Sequence, residues 1–187
     1  MKDWPELLAF GSLSPWGSDS LKLDIIGSVA SGKTTLAKEI SERYEIPYYE
    51  KDNIVWERTA CGDKKRSPQE RDRIFQTIIA EDSWIVEGSP RNCLQESFPL
   101  CDYIIFLDAG TRTRLFRVFR RWIRQKLGKE KFNSKPTLNF FYLNIKWVFE
   151  FNHQRQEILS TLSIYGNKFK VFRHSEDVLN FIEKLEF

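Results

Sequence analysis

Eight consecutive residues narrow the folds open to this chain more than any other stretch. Gly27-Ser28-Val29-Ala30-Ser31-Gly32-Lys33-Thr34 has the spacing G-x-x-x-x-G-K-[ST], with an apolar run over 21–26 before it and a helically spaced run over 35–40 after it. A strand feeding such a loop and a helix leaving it gather backbone N–H groups and a helix N-terminus at one point, as a dense anion such as a triphosphate requires. The small residues Gly27, Ser28, Ala30, Ser31 and Gly32 let the backbone close around the phosphates. Lys33 would reach the outer phosphates, Thr34 would offer its hydroxyl to Mg²⁺, and Thr35 would end the contact set. A turn that only joined a strand to a helix would have no need of Lys and Thr directly after the second glycine.

The rest of the chain suits one domain built on that loop. Its 187 residues suffice for a core without metal or disulfide support, and 41% hydrophobic with 29% charged residues is an ordinary globular balance. A formal charge of +3 is too small to imply a nucleic-acid partner by itself. Cys61, Cys93 and Cys101 are odd in number and lack metal-ligand spacing, so free thiols of a reducing cytosol are expected. No apolar run is long enough for a membrane span, and the first twenty residues lack the pattern of a signal peptide. The expectation is a soluble cytoplasmic protein without a membrane partner, monomeric or homodimeric. Residues 1–20 hold Pro5, Gly11, Pro15 and Gly17 around Trp4, Phe10 and Trp16 without a period, and read as an extension to a domain over 21–187.

Strand and helix patterns then alternate. A helix is predicted over 33–44 and a short strand over 47–50, where Pro47 prevents the helix from continuing. Asp52 follows, at the carboxyl edge where open α/β sheets bind ligands, though a helix-capping role fits it equally. The charged stretch 58–66 reads as a loop over the site. Ser67-Pro68-Gln69-Glu70 starts a helix that runs to about 81, with Ile74, Phe75, Ile78 and Ile79 on its buried face. Nearly continuous apolar strands over 83–88 and 103–108 suit burial on both faces, and the first ends at Glu87-Gly88-Ser89-Pro90-Arg91. A strand over 168–172 and a helix capped by Ser175 close the chain. This alternation implies right-handed crossovers and a parallel sheet between two helical layers.

Two long helical stretches separate the fourth and fifth strands. Over 112–127, Leu115, Phe119, Trp122 and Ile123 share one side, and Arg114, Arg117, Arg121 and Arg124 share the other. A merely solvated face would carry acidic partners at i,i+4, and none occurs here. Over 137–164, Leu138, Phe141, Ile145 and Val148 recur at helical spacing, and the many aromatics read as core rather than as a base-stacking platform.

Taken together, residues 25–37, the run from Glu87 to Arg91 and the arginine helix resemble the adenylate-kinase-like branch of P-loop kinases. Within it, Ile25-Ile26-Gly27-Ser28, Asp52-Asn53-Ile54-Val55-Trp56-Glu57-Arg58 and Trp84-Ile85-Val86-Glu87-Gly88 are similar to the DNA topology modulation proteins. The resemblance covers 21–187 and implies a three-layer α/β P-loop NTPase fold with a five-stranded parallel sheet and a helical lid over about 112–135. It implies that Glu87 holds a magnesium-bound water, that Arg91 grips the acceptor's phosphate, and that Arg117 and Arg121 are lid arginines closing on the transferred group. It puts Asp52 on an acceptor hydroxyl, and His174 with Ser175 beside the adenine. Three departures set the acceptor side apart from that of adenylate kinases. Glu87 stands where they have Asp, a continuous helix replaces their hairpin lid, and Tyr49-Glu50-Lys51-Asp52 replaces their Thr-Gly element.

The expected function is that of an ATP- and Mg²⁺-dependent kinase of a nucleotide, nucleoside or similar small molecule. Lys33 and the loop amides would hold the donor and Arg117 and Arg121 would close from above. Asp52 would orient or deprotonate the acceptor hydroxyl, while Arg91 suits an anionic acceptor. One alternative is a DNA-binding protein that uses ATP as a switch without kinase turnover, and another is an inactive nucleotide sensor.

Overall fold

The computed structural model describes residues 20–59, 62–129 and 136–186. The N-terminal extension, Cys61 and the end of the lid region over 130–135 lie outside the described residues. The first half of the fold runs β1 (Lys22–Gly27), α1 (Lys33–Tyr44), β2 (Tyr48–Glu50), α2 (Lys51–Val55), β3 (Trp56–Thr59), β4 (Gly62–Lys65) and α3 (Pro68–Ile79). The second half runs β5 (Trp84–Gly88), α4 (Ser97–Leu100), β6 (Tyr103–Leu107), α5 (Thr111–Lys126), α6 (Leu138–Leu162), β7 (Phe169–Phe172) and α7 (Ser175–Glu183).

Five of the strands form the expected parallel sheet, in the order β2-β5-β1-β6-β7. The central strands β1, β5 and β6 are almost wholly buried, which is why their sequences run apolar without alternation. Successive residues still point to opposite faces. Ile26, Trp84, Val86, Ile104 and Phe106 meet Phe75 and Ile78 of α3 and Phe151 of α6 on one side. Leu23, Ile25, Ile85, Ile105 and Leu107 meet Leu36 and Ile40 of α1 and Val178 of α7 on the other. Each such side chain contributes about 1.5–3 kcal/mol by leaving water. Strand order reverses direction on either side of β1, so a crevice opens at its carboxyl end, where the glycine-rich loop begins.

Two helix starts follow the capping chemistry closely. Ser67 Oγ accepts the Glu70 amide at 3.2 Å, with Pro68 in the first turn of α3, and Thr137 Oγ1 accepts the Phe140 amide at 3.1 Å ahead of α6. Before α7 the cap position belongs to His174, whose side chain makes no capping bond, and Ser175 is the first helical residue rather than the cap.

Elsewhere the structure differs from the sequence expectation. The stretch read as a loop contains an antiparallel hairpin, β3 with β4, in which Trp56 faces Lys65 and Thr59 faces Gly62. All four residues of β4 are exposed, so no apolar alternation announced it. The two sides of α5 are also not simply apolar inside and basic outside. Arg114 is 3% exposed, whereas Phe116 is 63% and Phe119 48% exposed. The aromatic content of α6 divides likewise, with Phe151 buried and Tyr142, Trp147 and Phe149 exposed. Cys93 is an exposed free thiol and Cys101 a buried one. Among the described residues no helix is long and apolar enough to cross a membrane.

Candidate active site

The glycine-rich loop joins β1 to α1 through backbone conformations that few residues tolerate. Gly32 has φ 107° and precedes the first helical residue, Lys33. Ala30 has φ 58°, a left-handed conformation of modest cost that marks the loop as held in shape by its surroundings. At Gly27 even a methyl group is excluded, because a Cβ would stand 2.7 Å from the Leu107 carbonyl oxygen. The Ser31 hydroxyl is buried without a partner inside this loop, an orphan group suited to a phosphate oxygen.

The charged members of the loop converge. Lys33 Nζ donates to the Ser28 carbonyl at 2.9 Å, curling back over the loop. Burial pushes its ammonium below its ordinary range, opposed by the carboxylates of Glu87 and Asp52. Thr34 Oγ1 donates to Glu87 Oε1 at 2.7 Å. Glu87, 4% exposed at the end of β5, has its carboxyl raised by burial, opposed by Lys33 and by the Thr34 hydroxyl. One hydroxyl and one carboxylate are the hard oxygen donors that Mg²⁺ takes when it fills its other positions with water and phosphate oxygens. Among the described residues no three His, Cys, Asp or Glu side chains gather into an all-protein metal cage. Thr35 is exposed on the first turn of α1.

On the far side of Glu87, the structure pairs the two residues assigned to the acceptor. Arg91 Nη2 donates to Asp52 Oδ1 at 2.6 Å, on a partly open surface, while Arg91 Nε is buried without a partner. Asp52 lies in the first turn of α2, whose N-cap is Glu50, so it does not cap that helix. The β3–β4 hairpin borders this region through Arg58, whose Nε donates to Asn53 Oδ1 at 3.0 Å.

The α5 arginines close the opposite wall. Arg117 Nη1 donates to the Ser31 carbonyl at 2.5 Å and lies 3.2 Å from where a Cβ on Gly32 would stand. Ser175 Oγ is 3.7 Å from that same point, so the start of α7 and Arg117 flank the loop together, with His174 exposed beside them. Arg121 Nη2 donates to Asn144 Oδ1 at 2.7 Å, and its charge helps lower the Lys33 ammonium.

The burial of two cations here was not legible in the sequence, which placed Arg114 only on a basic helix face. Lys51, fully buried, binds both oxygens of the equally buried Asp24 at 2.7 and 2.8 Å, and Ser97 Oγ donates to the same carboxylate at 2.5 Å. The Lys51 ammonium also stands 5.0 Å from the centre of the Phe98 ring. This arrangement pins the residue between β2 and Asp52 to the strand that carries the glycine-rich loop, and it needs Gly88, where a Cβ would come within 2.7 Å of Lys51 Cβ. An acid inside the apolar run Leu23-Asp24-Ile25 was the available signal for it. Arg114 is the second. Its Nη1 donates to Ser28 Oγ at 2.6 Å and its Nη2 to Asn152 Oδ1 and Thr111 Oγ1, tying the loop to α5 and α6.

The sequence matches no protein-family model and no curated protein. The structure is similar to that of an uncharacterised protein from Eubacterium ventriosum, at 14% identity and a TM-score of 0.54, over 89% of this chain and 98% of the other. It is also similar to shikimate kinase from Bacteroides thetaiotaomicron, at 13% identity and a TM-score of 0.50, over 89% and 99% of the two chains. The fold is the three-layer α/β fold of the P-loop NTPases, with a five-stranded parallel sheet between helices.

Proposed function

We propose that this chain is an ATP- and Mg²⁺-dependent phosphotransferase acting on a nucleotide, nucleoside or similar small molecule, of the adenylate-kinase-like branch and resembling the DNA topology modulation proteins. The observation that carries this reading is the contact of Thr34 with Glu87 at 2.7 Å beside the buried Lys33. A hydroxyl, a carboxylate and an ammonium at the mouth of a glycine-rich loop match the needs of a metal-bound polyphosphate. Thr34 and Glu87 would hold Mg²⁺, which when bound would supply charge neutralisation of the donor phosphates.

Phosphoryl transfer asks for alignment and charge neutralisation more than for covalent help. The amides of Gly27 to Thr34 and the Lys33 ammonium would hold the donor's phosphates, with the Ser31 hydroxyl as a further donor. Arg117 and Arg121 would close over the transferred group from α5, where an arginine is worth on the order of 10³-fold or more in rate. His174 and Ser175 would border the base. Asp52 would orient the acceptor hydroxyl and take its proton.

A nucleotide-binding test decides the reading. Mg·ATP should raise the thermal midpoint of the wild-type protein and leave Lys33→Ala unmoved, since ligand bound to the folded state stabilises it by mass action. A wild-type protein that neither gains stability with Mg·ATP nor transfers phosphate to any of a broad nucleotide and metabolite panel would sink it. The rival reading, DNA binding with ATP as a switch, draws on the seven Lys and Arg residues of α5, which has no acid. Three of the seven, Arg114, Arg117 and Arg121, are engaged with the loop and with α6, which supports the kinase instead. Gel-shift binding at low salt that weakens steeply as salt is added would favour DNA.

A further inference from the structure

The kinase reading leaves the acceptor's chemistry open, and the pairing of Arg91 with Asp52 bears directly on it. A phosphate ester carries about two negative charges near neutral pH and needs surplus positive charge where it docks. The three guanidinium groups that contact Asp52 or Asn53 each have a carboxylate partner already. Arg91 is held by Asp52 at 2.6 Å, Arg58 by Asp63, and Arg66 by Glu70 at 3.3 Å while it donates to the Asn53 carbonyl at 2.6 Å. Lys51, the neighbour of Asp52 in the chain, faces the other way into Asp24. Carboxylates, meanwhile, crowd the same region. Glu50 stands opposite Glu87 in the register of β2 with β5, two positions before Asp52 in the chain.

An anionic acceptor would therefore meet matched cations and a cluster of acids. An uncharged hydroxyl compound meets suitable partners instead. The Asp52 carboxylate accepts an O–H, and the guanidinium of Arg91, donating one N–H to Asp52 through Nη2, has further terminal N–H groups to offer an adjoining oxygen. Side chains 54% and 32% exposed, for Asp52 and Arg91, leave the pair reachable from solvent.

We infer that the acceptor is an uncharged polyhydroxy compound, of the nucleoside or sugar class, whose adjacent oxygens are held jointly by Asp52 and Arg91. The inference rests on the kinase reading and narrows it, replacing the expectation that Arg91 grips a phosphate. In the transfer, the acceptor's hydroxyl oxygen forms a bond to the donor's terminal phosphorus as the bond from that phosphorus to the bridging oxygen breaks. The hydroxyl proton passes to Asp52, and the nucleoside diphosphate departs with the bridging oxygen.

The test uses inorganic phosphate as the probe, titrated calorimetrically into the full chain with the glycine-rich loop saturated by Mg·ADP. Asp52→Asn removes the charge that holds Arg91, so phosphate affinity should rise roughly tenfold or more over wild type, and Asp52→Asn combined with Arg91→Ala should return it to the wild-type value. Equal phosphate affinity in wild type and Asp52→Asn overturns the inference. If Mg·ADP itself fails to bind, the kinase reading fails first, and the two failures are told apart. A second arm compares adenosine with AMP, uridine with UMP and glucose with glucose 6-phosphate by thermal shift in Mg·ADP. The uncharged member of the pair that binds should be the tighter ligand and identifies nucleoside or sugar. A phosphate ester that binds more tightly than its uncharged counterpart overturns the inference.

Discussion

Neither Lys51 nor Asp24 reaches solvent, so the cost of removing one is set by the charge left behind. Lys51→Met should destabilise the protein by about 3–5 kcal/mol, because Asp24 remains buried beside the Ser97 hydroxyl with no counter-ion. The double variant Lys51→Met with Asp24→Leu should recover most of that loss, since apolar groups of similar volume replace a buried pair at little net cost. Chemical denaturation of both variants checks the difference. Cys101 gives a second expectation at this scale. Burial raises its thiol from 9.0 to about 12, and its Sγ is held 3.3 Å from the Phe98 carbonyl. It should resist alkylation in the native protein at pH 8 while the exposed Cys93 reacts, as mass analysis of labelled peptides would report. The folded pKa lies above the unfolded one, so the stability this thiol contributes is complete below about pH 9 and is lost as pH climbs toward 12.

At the scale of elements, two substitutions probe how α3 and β5 are held. Ser67→Ala removes the side-chain oxygen that accepts the Glu70 amide, and should cost about 1 kcal/mol. Gly88→Ala places a methyl group 2.7 Å from Lys51 Cβ, an atom close to the backbone that has little room to move, and should cost about 1–3 kcal/mol. Equilibrium unfolding measures both. These elements also show what sequence can and cannot convey. The strands of the main sheet and the start of α3 were legible because continuous apolar runs and a Ser-Pro-x-Glu start each have one physical cause. Thr34 and Glu87 were legible as partners only through the loop motif and the family resemblance, since 53 positions separate them. The β3–β4 hairpin was hidden because its pairing is between charged and exposed residues, whose spacing signals nothing about burial. Arg114 was hidden for the opposite reason. A charge in a basic run reads as solvated, yet its guanidinium finds Ser28, Thr111 and Asn152 in the interior.

Across the whole molecule, Arg114 links the glycine-rich loop to α5 and α6, and Arg155 fixes α6 to the end of β6 through both oxygens of Asp108 at 3.0 and 2.6 Å. The glycine-rich loop is thus tied directly to α5 and α6. Arg114→Leu should raise amide hydrogen exchange in 28–33 and 111–118 together, with the strands of the central sheet unchanged, because the lost hydrogen bonds join the loop to α5 and α6 and none reaches a strand of the sheet. The same architecture explains why structural comparison finds similar folds where comparison of sequences with protein families and curated proteins finds no match. A sheet of this order asks only for runs of apolar residues and a few glycines, which many sequences supply. The Asp24–Lys51 contact is of another kind. Because a single loss strands a charge in the interior and a joint replacement does not, the two positions are expected to vary together wherever this contact is kept or abandoned.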